Sequence, residues 1–152
     1  MKKVYFIRHG ESEGNAGPIR QGRSSSLTQK GLEQSEIIAE RCEKLSIDSI
    51  ISSTMKRAVE TAKIILARLK KPVEYSDLFA ERRRPKEQIG VLKSDRTALD
   101  AEKTIRENFT VSGFRFSDEE NFDDLKTRAG QVLRYLQKKP EKNILVVTHG
   151  FF

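Results

Sequence analysis

The chain has 152 residues, of which 36% are hydrophobic and 34% charged, and its formal net charge is +7. This length fits a single domain with its own core, and we expect residues 1–152 to form one. Only four apolar residues stand between Met1-Lys2-Lys3 and Arg8, which argues against a signal peptide, and no apolar stretch reaches membrane-spanning length. The single cysteine, Cys42, cannot form an internal disulfide, so we expect a packed, inert thiol and, by default, the cytoplasm.

The first half of the sequence alternates strands with helices. In chain order it contains a predicted strand at residues 3–8, a polar, glycine-rich loop at 11–26, a helix from 28 to about 45, a strand at 48–52, a helix that ends before 72 and a strand at 73–75. Thr28 is the expected N-cap of the first helix, and Ser53 or Thr54 that of the second. β-branched runs predict the strands, and apolar stripes at the helical period predict the helices.

The second half of the sequence is less regular. No period is clear from Asp77 to Thr97, which we interpret as mostly loop, and a short helix is predicted from Ala98 to about Phe109. Ser117 and Glu120 have the spacing of a capping box that would open a longer amphipathic helix. A last strand follows at residues 143–148. Strands that alternate with amphipathic helices imply βαβ crossovers, so the predicted fold class is α/β with a mostly parallel sheet.

The two histidines of the chain occupy matching positions. His9 ends the first predicted strand, His149 ends the last, and each is followed directly by a glycine. Ligand and catalytic groups in open α/β sheets gather at the carboxyl ends of strands. If these two strands lie side by side, both imidazoles face one crevice.

This pattern indicates phosphoryl chemistry. A neutral imidazole can attack a phosphoryl group and form a phosphohistidine that water later hydrolyses. Such a site needs cations for the phosphoryl oxygens, and Arg8 and Arg57 can supply them, the latter from the first turn of a helix. His149 can donate a further hydrogen bond to a phosphoryl oxygen.

Two features are left open by the residues alone. A carboxylic acid must protonate the leaving oxygen, and spacing does not choose between Glu11 and Glu81. The basic cluster from Arg82 to Lys86 can equally be a substrate-facing rim or an exposed loop with no role.

Three other functions are compatible with parts of the pattern. Two histidines with carboxylates could bind a metal, but HxH and HExxH spacings are absent and a neighbouring arginine repels a cation, so we expect none. A phospho-ligand binding module without turnover ranks lower, because a full set of candidate catalytic residues is present. The net charge suits nucleic acid, which ranks last because the sequence has no clear aromatic platform or helix-turn-helix pattern.

Four ordered blocks of sequence resemble one known family. They are Arg8-His9-Gly10-Glu11-Ser12 followed by Asn15, the segment 27–31 with Gln34, the segment 52–62 and the segment 146–150. In this order they resemble the histidine phosphatase superfamily, the phosphoglycerate mutase-like proteins, across nearly the whole chain. The resemblance implies a three-layer α/β sandwich with the strand order 3-2-4-1.

The resemblance also implies roles for particular residues. The catalytic set is His9 as the nucleophile with Arg8, Arg57 and His149 as the phosphate pocket. The residues expected near the phosphate are Asn15, Gln21 and Gly22. The family's proton donor follows the third strand in a Leu-x-Glu context, which favours Glu81, although one more residue separates it from Leu78. No metal or organic cofactor is implied.

The expected activity is hydrolysis of a phosphomonoester through phospho-His9, with a small molecule or a phosphoprotein as substrate and no membrane. The rival within the family is phosphoglycerate mutase-type phosphoryl transfer. Two departures from the family pattern are the run Arg82-Arg83-Arg84-Pro85, where many members have Gly-x-Trp-Glu-Gly, and the early stop after Gly150. We therefore expect a form shortened at the C-terminus, or a homo-oligomer that covers the first strand by self-association.

Overall fold

The computed structural model describes residues 1–151. The strands are Lys3–Arg8 (β1), Ser49–Ser52 (β2), Val73–Tyr75 (β3) and Asn143–Thr148 (β4). The helices are Glu13–Ala16 (α1), Gln29–Glu43 (α2), Lys56–Leu69 (α3), Arg96–Glu107 (α4) and Phe122–Lys138 (α5). Two 3₁₀ turns, Asp77–Phe79 and Lys86–Gln88, lie in the segment that was predicted to be mostly loop.

The described strands form one parallel sheet. Its order is β1-β4-β2-β3, which is the predicted order 3-2-4-1 counted from the other edge, so the predicted fold class is confirmed. Arg8 is paired with Thr148, and Ser52 is paired with Val147. The residues that directly follow β1, β4 and β2 therefore emerge side by side at one edge of the sheet.

The strand β4 is buried on both of its faces. Leu145 and Val147 pack in a core cluster with α2 and α3, whereas Ile144 and Val146 pack with α5 on the opposite face. These four side chains have no exposed surface. Burying an aliphatic side chain contributes about 1.5–3 kcal/mol, and a shift of one residue would exchange the two faces. The alternation therefore fixes the register of β4 and the position of His149 at its end.

The helix α3 begins later than predicted. Its N-cap is Met55, which makes no side-chain capping bond, and neither Ser53 nor Thr54 caps the helix. The Ser53 hydroxyl accepts a hydrogen bond from the Met55 amide at 3.2 Å and lies 2.8 Å from a ring nitrogen of His149. The Thr54 hydroxyl donates to Asp77. Both hydroxyls have partners outside the first turn of α3, which is why they do not cap it.

The predicted capping box of Ser117 and Glu120 is wrong. The helix α5 is capped by Asn121 and Asp124, whose side chains accept hydrogen bonds from each other's backbone amides at 3.0 and 3.1 Å. The carboxylate of Glu120 instead binds the guanidinium of Arg128 at 2.6 and 2.7 Å. An arginine fork is a stronger partner for a carboxylate than a single amide, so Glu120 is drawn away from the cap.

The helices α2 and α4 match their predictions more closely. The Thr28 hydroxyl accepts from the Gly31 amide at 3.1 Å and caps α2 as predicted. The helix α4 begins and ends two residues before its predicted bounds and is capped by Asp95. Among the helices of residues 1–151, none is long and apolar enough to cross a membrane.

Candidate active site

A close approach between the end of β1 and the start of α2 positions His9. A Cβ atom at Gly10 would lie 2.2 Å from the backbone oxygen of Gly31, so the contact requires glycine directly after the histidine. The Gly10 amide also donates to the Thr61 hydroxyl of α3 at 3.1 Å. The backbone that carries His9 is therefore held by two helices.

The hydrogen bonds of His9 define its tautomer. Its Nδ1 lies 2.6 Å from the Gly10 carbonyl oxygen, which can only accept, so Nδ1 carries the hydrogen. Its Nε2 accepts a hydrogen bond from Nε of Arg57 at 3.0 Å. Burial lowers the pKa of His9 from 6.5 to about 4, with a smaller contribution from the positive charge of Arg57. At neutral pH the ring is therefore uncharged, with the Nε2 lone pair directed at a guanidinium.

Arg57 joins several parts of the site. It is the second residue of α3 and is only 5% exposed. Besides its bond to His9, its Nη2 donates to the Glu81 carboxylate at 2.5 Å and its Nη1 donates to the Gly22 carbonyl at 3.2 Å. Its Nη2 also lies 3.2 Å from the Met55 sulfur. A guanidinium in the first turn of a helix, with four partners around it, is a rigid anion-binding group.

His149 lies beside His9 with a hydrogen-bond donor to spare. The two ring centroids are 5.0 Å apart. The Ser53 hydroxyl accepts from the Met55 amide and lies 2.8 Å from Nε2 of His149. When it donates its own hydrogen to Nε2, Nδ1 carries the ring hydrogen. That Nδ1 is buried, has no hydrogen-bond partner within residues 1–151 and lies 3.9 Å from Glu81. An oxygen of a bound anion would satisfy it.

Burial also keeps His149 uncharged. It lowers the pKa of this histidine to about 2, with a further contribution from the positive charge of Arg57. The 3.9 Å approach of Nδ1 to the Glu81 carboxylate is therefore a contact with a neutral ring and not an ion pair. The site therefore combines two neutral imidazoles, which contact each other, with a guanidinium that binds one of them, His9.

The structure places one of the two candidate carboxylates among these groups. Glu81 follows the 3₁₀ turn after β3, binds Arg57 and approaches His149. Glu11 instead accepts from the Thr28 hydroxyl at 3.0 Å and pairs with Lys30 at 3.2 Å. The choice between the two carboxylates, which the spacing left open, falls on Glu81 by position.

The remaining predicted residues lie around the same edge of the sheet. The exposed Arg8 and the buried His9 line a cavity of about 360 Å³ together with Asn15. Asn15 and Gln21 line a second cavity of about 150 Å³ that Arg57 also borders. With the Gly22 carbonyl bound to Arg57, the structure brings all eight predicted site residues together. Their roles in turnover stay predictions.

Four residues at the site were not singled out from the sequence. Ser53 contacts His149, and the Thr61 hydroxyl donates to the Arg57 carbonyl at 2.9 Å while accepting from Gly10. Both fall in the block 52–62, so a search for hydroxyl groups near the candidate arginine would have found them. Arg20 and Lys93 line the 150 Å³ cavity and carry no local signal.

Fold and site together define a class of protein. An uncharged imidazole whose free nitrogen faces a buried guanidinium, at the carboxyl edge of a parallel sheet, is suited to nucleophilic attack on a bound anion. Within residues 1–151, no group of three or more histidine, cysteine or carboxylate side chains is placed to hold a metal ion.

The chain belongs to the histidine phosphatase superfamily (branch 1), which it matches over residues 4–152. It is 35% identical over 157 residues to the probable phosphoglycerate mutase GpmB of Enterobacter sp. (strain 638), an alignment that covers 99% of this chain and 70% of that protein. The predicted family resemblance is confirmed.

Solved structures share the fold. The alpha-ribazole phosphatase from Shigella flexneri superposes with a TM-score of 0.80 at 24% identity, over 96% of this chain and 73% of that one. The mycobacterial glucosyl-3-phosphoglycerate phosphatase in complex with VO3 superposes with a TM-score of 0.81 at 23% identity, over 99% of this chain and 76% of that one. At these identities the likeness concerns the fold.

Proposed function

We propose that this protein hydrolyses phosphomonoesters through a phosphohistidine at His9. The observation that carries the proposal is the tautomer of His9, with Nδ1–H bound to the Gly10 carbonyl and the Nε2 lone pair facing Arg57. In this tautomer Nε2 is the nucleophilic atom. Membership of the superfamily and the phosphatases that share the fold support the proposal.

In the first step, Nε2 of His9 attacks phosphorus and the bond from phosphorus to the leaving oxygen breaks. Arg57 transfers its hydrogen bond from Nε2 to a phosphoryl oxygen, and Arg8 and His149 donate to the others. Glu81, as the carboxylic acid, gives its proton to the leaving oxygen, so that a neutral alcohol departs.

In the second step, the Glu81 carboxylate takes a proton from water as the water oxygen attacks phosphorus. The bond between Nε2 and phosphorus breaks, the electron pair returns to the imidazole, and inorganic phosphate leaves. His9 lies on the wall of the 360 Å³ cavity, which extends to the exposed Arg8, and this favours water as the acceptor.

Trapping the phosphoenzyme tests the proposal. Acid quench during turnover of a radiolabelled phosphomonoester should leave a base-stable, acid-labile label on the wild-type protein and on Glu81→Gln, but none on His9→Ala. Wild-type turnover in His9→Ala would refute the mechanism.

One comparison favours a second function. The relative at 35% identity is a probable phosphoglycerate mutase, and a mutase returns the phosphoryl group to an organic hydroxyl. Phosphorus NMR during incubation with 3-phosphoglycerate separates the two outcomes. We expect inorganic phosphate to accumulate, whereas an isomerised ester without free phosphate would assign the mutase reaction.

The proposal extends to the setting of the activity. We propose that residues 1–152 act as one catalytic domain in the cytoplasm, without a cofactor, on a small-molecule phosphomonoester or a phosphoprotein. The strand β1 lies at one edge of the described sheet and its Phe6 side chain is 50% exposed, so self-association through this edge stays a prediction. Light scattering at several concentrations tests it, and a constant monomer mass would contradict it.

A further inference from the structure

A second cavity borders the catalytic pocket and is rich in cations. It has a volume of about 150 Å³ and shares Asn15 with the 360 Å³ cavity that His9 lines. It is also lined by Arg57, which donates to His9, and by Glu81, which binds Arg57. Three further cationic side chains line it, which are Arg20, Arg84 and Lys93. We propose that this cavity binds a second anionic group of the substrate, a carboxylate or a phosphate, while the reacting phosphoryl group lies at His9. The inference rests on the proposed function and names its substrate class.

Two of these cations have neutral partners. Within residues 1–151, Arg84 donates from Nη1 to the side-chain oxygen of Gln88 at 3.2 Å, and Lys93 donates from Nζ to the Asn15 carbonyl at 2.8 Å. Both side chains are partly buried. A partly buried cation whose hydrogen-bond partners are neutral oxygens gains from an added anion, because a charge-assisted hydrogen bond is stronger.

Backbone pairing between two loop segments positions Arg20 and Lys93. The Arg20 amide donates to the Val91 carbonyl at 3.0 Å, and the Lys93 amide donates to the Pro18 carbonyl at 2.7 Å. One end of the Arg20 guanidinium pairs with Glu102, while its buried Nε has no partner within residues 1–151. Donors that are held in position before binding lose less entropy when the ligand arrives.

The basic cluster, whose role the sequence left open, divides at Arg84. The guanidinium of Arg82 lies over two neighbouring phenylalanine rings, 5.3 and 4.9 Å from their centroids. The exposed Arg83 donates from Nε to the Asp118 carbonyl at 2.7 Å. Arg84 is the member of this run that lines the cavity next to Glu81. Arg83 is therefore a matched control for Arg84.

The size of the cavity limits the substrate. Because Arg57 lines this cavity and also donates to Nε2 of His9 at 3.0 Å, the two anionic groups must lie only a few bonds apart. Guanidinium groups bind carboxylates and phosphates through paired hydrogen bonds, so both chemistries suit Arg84. A compact phosphomonoester with a second anionic end fits these constraints, and one with a neutral polar end leaves the cations without a counter-charge.

Three phosphomonoesters with the same carbon chain test the inference. They are 3-hydroxypropyl phosphate, 3-(phosphonooxy)propanoate and propane-1,3-diyl bisphosphate, which differ in the charge of the far end. Binding is measured by calorimetry on His9→Ala protein, which does not turn them over, and kcat/KM is measured on protein with His9 intact. We expect a charged end to raise affinity and kcat/KM roughly tenfold or more.

Variants connect this preference to the cavity. Arg84→Gln should weaken the binding of the two charged esters about tenfold more than the binding of 3-hydroxypropyl phosphate. Lys93→Gln is a second variant with the same expected result. Arg83→Gln removes the same charge from the adjacent exposed side chain and should keep the full preference. Each variant is compared after its thermal stability is shown to match the wild type.

The outcomes separate this inference from the proposed function. Turnover without a preference for charged ends, or an equal loss of preference in Arg83→Gln, would overturn the second anion site while hydrolysis stands. A charge preference in binding, with no turnover and no label on His9, would overturn hydrolysis while the anion site stands. The charged ester with the larger increase in affinity and kcat/KM over 3-hydroxypropyl phosphate identifies the second group as a carboxylate or a phosphate.

Discussion

The catalytic pocket and the neighbouring cationic cavity are built from different parts of the chain. His9 and His149 directly follow parallel strands, Arg57 lies in the first turn of α3, and none of the three is more than 5% exposed. The cations of the cavity lie in loops and are only partly buried. The sheet and the helix that follows it thus hold the groups we assign to phosphoryl transfer, while loops hold the groups we assign to the rest of the substrate.

The difference has a physical basis and kinetic consequences. Strand ends in a packed sheet cannot shift without disturbing the core, whereas loops accept new side chains at little cost to folding. Variants of the pocket should therefore impair every phosphomonoester. Variants of the cavity should impair esters with a second anionic group more than esters whose far end is neutral.

Among the variants that keep His9, Arg57→Ala should have the largest effect on kcat. Removing a donor aimed at charge that develops in the transition state costs about 3–4 kcal/mol, so kcat should fall a hundredfold or more. The loss should be the same for esters with charged and neutral ends, because Arg57 is expected to hold the reacting phosphoryl group. Steady-state kinetics on the three-carbon series measures it.

Arg68→Ala is the control in the same helix. Arg68 pairs with exposed carboxylates, Glu36 at 3.1 Å and Glu40 at 3.5 Å, and surface ion pairs of this kind contribute about 1 kcal/mol or less. Its kcat should match the wild type. If Arg57→Ala lowered thermal stability and left specific activity unchanged, the role of Arg57 would be structural.

Glu81→Gln should distinguish substrates by their leaving groups. An acid that protonates the leaving oxygen accelerates the reaction by roughly a hundredfold or more, so alkyl phosphates should lose that factor. An aryl phosphate such as 4-nitrophenyl phosphate needs little protonation and should lose far less. Glu11→Gln, which changes a carboxylate bound to Lys30, should leave both unaffected. Equal losses on both substrates would mean that Glu81 acts by holding Arg57.

Much of the fold could be predicted from local patterns. The strand at 143–148 is a continuous apolar run of the length that parallel, doubly buried strands have, and its prediction matches β4 residue for residue. The matching positions of His9 and His149 at strand ends also predicted that both rings face one crevice if the two strands are neighbours. The strands are neighbours, and the ring centroids lie 5.0 Å apart. These features depend on residues close together in sequence.

The rest of the site depends on contacts between distant residues. The pairing of Arg20 with Val91 joins segments about seventy residues apart, and neither segment has a periodic pattern. Glu11 and Glu81 look alike in spacing, and only tertiary contacts distinguish them. Glu81 binds Arg57, whereas Glu11, which lines the 360 Å³ cavity, pairs with Lys30. The predicted cap at Ser53 was wrong because the Ser53 hydroxyl contacts His149, which directly follows β4. Local sequence around Ser53 does not show this contact.

The burial that defines the catalytic pocket should make stability depend on pH. The pKa of His9 is lowered to about 4 in the folded protein, so between pH 6.5 and 4 the unfolded chain binds a proton that the folded protein does not. The free energy of unfolding therefore falls as pH drops through this window, by about 2 kcal/mol at pH 5 for His9. Urea unfolding at pH 7 and pH 5 measures the fall.

Two variants sharpen that measurement. His9→Asn should lose about 2 kcal/mol less than the wild type between pH 7 and pH 5, because the titrating group is gone. Arg84→Gln changes the cavity and not the histidines, so it should keep the wild-type dependence. An equal loss in His9→Asn and the wild type would show that His9 takes up its proton without unfolding.

Ser53→Ala should give the smallest effect within the pocket, a fall of about tenfold in kcat, since it removes one hydrogen bond to a group we place beside the phosphate. The Ser53 hydroxyl lies 2.8 Å from Nε2 of His149, and donating its hydrogen there would leave the ring hydrogen on Nδ1. Nitrogen NMR should show that tautomer in the wild type and in Ser53→Thr, and a mixture of tautomers in Ser53→Ala. Ser52→Ala removes an equally buried hydroxyl, bound to the Ser53 carbonyl, and should leave the tautomer unchanged. A fall in kcat without a change of tautomer would mean that Ser53 acts only through packing. The position of β4 would then set the orientation of His149.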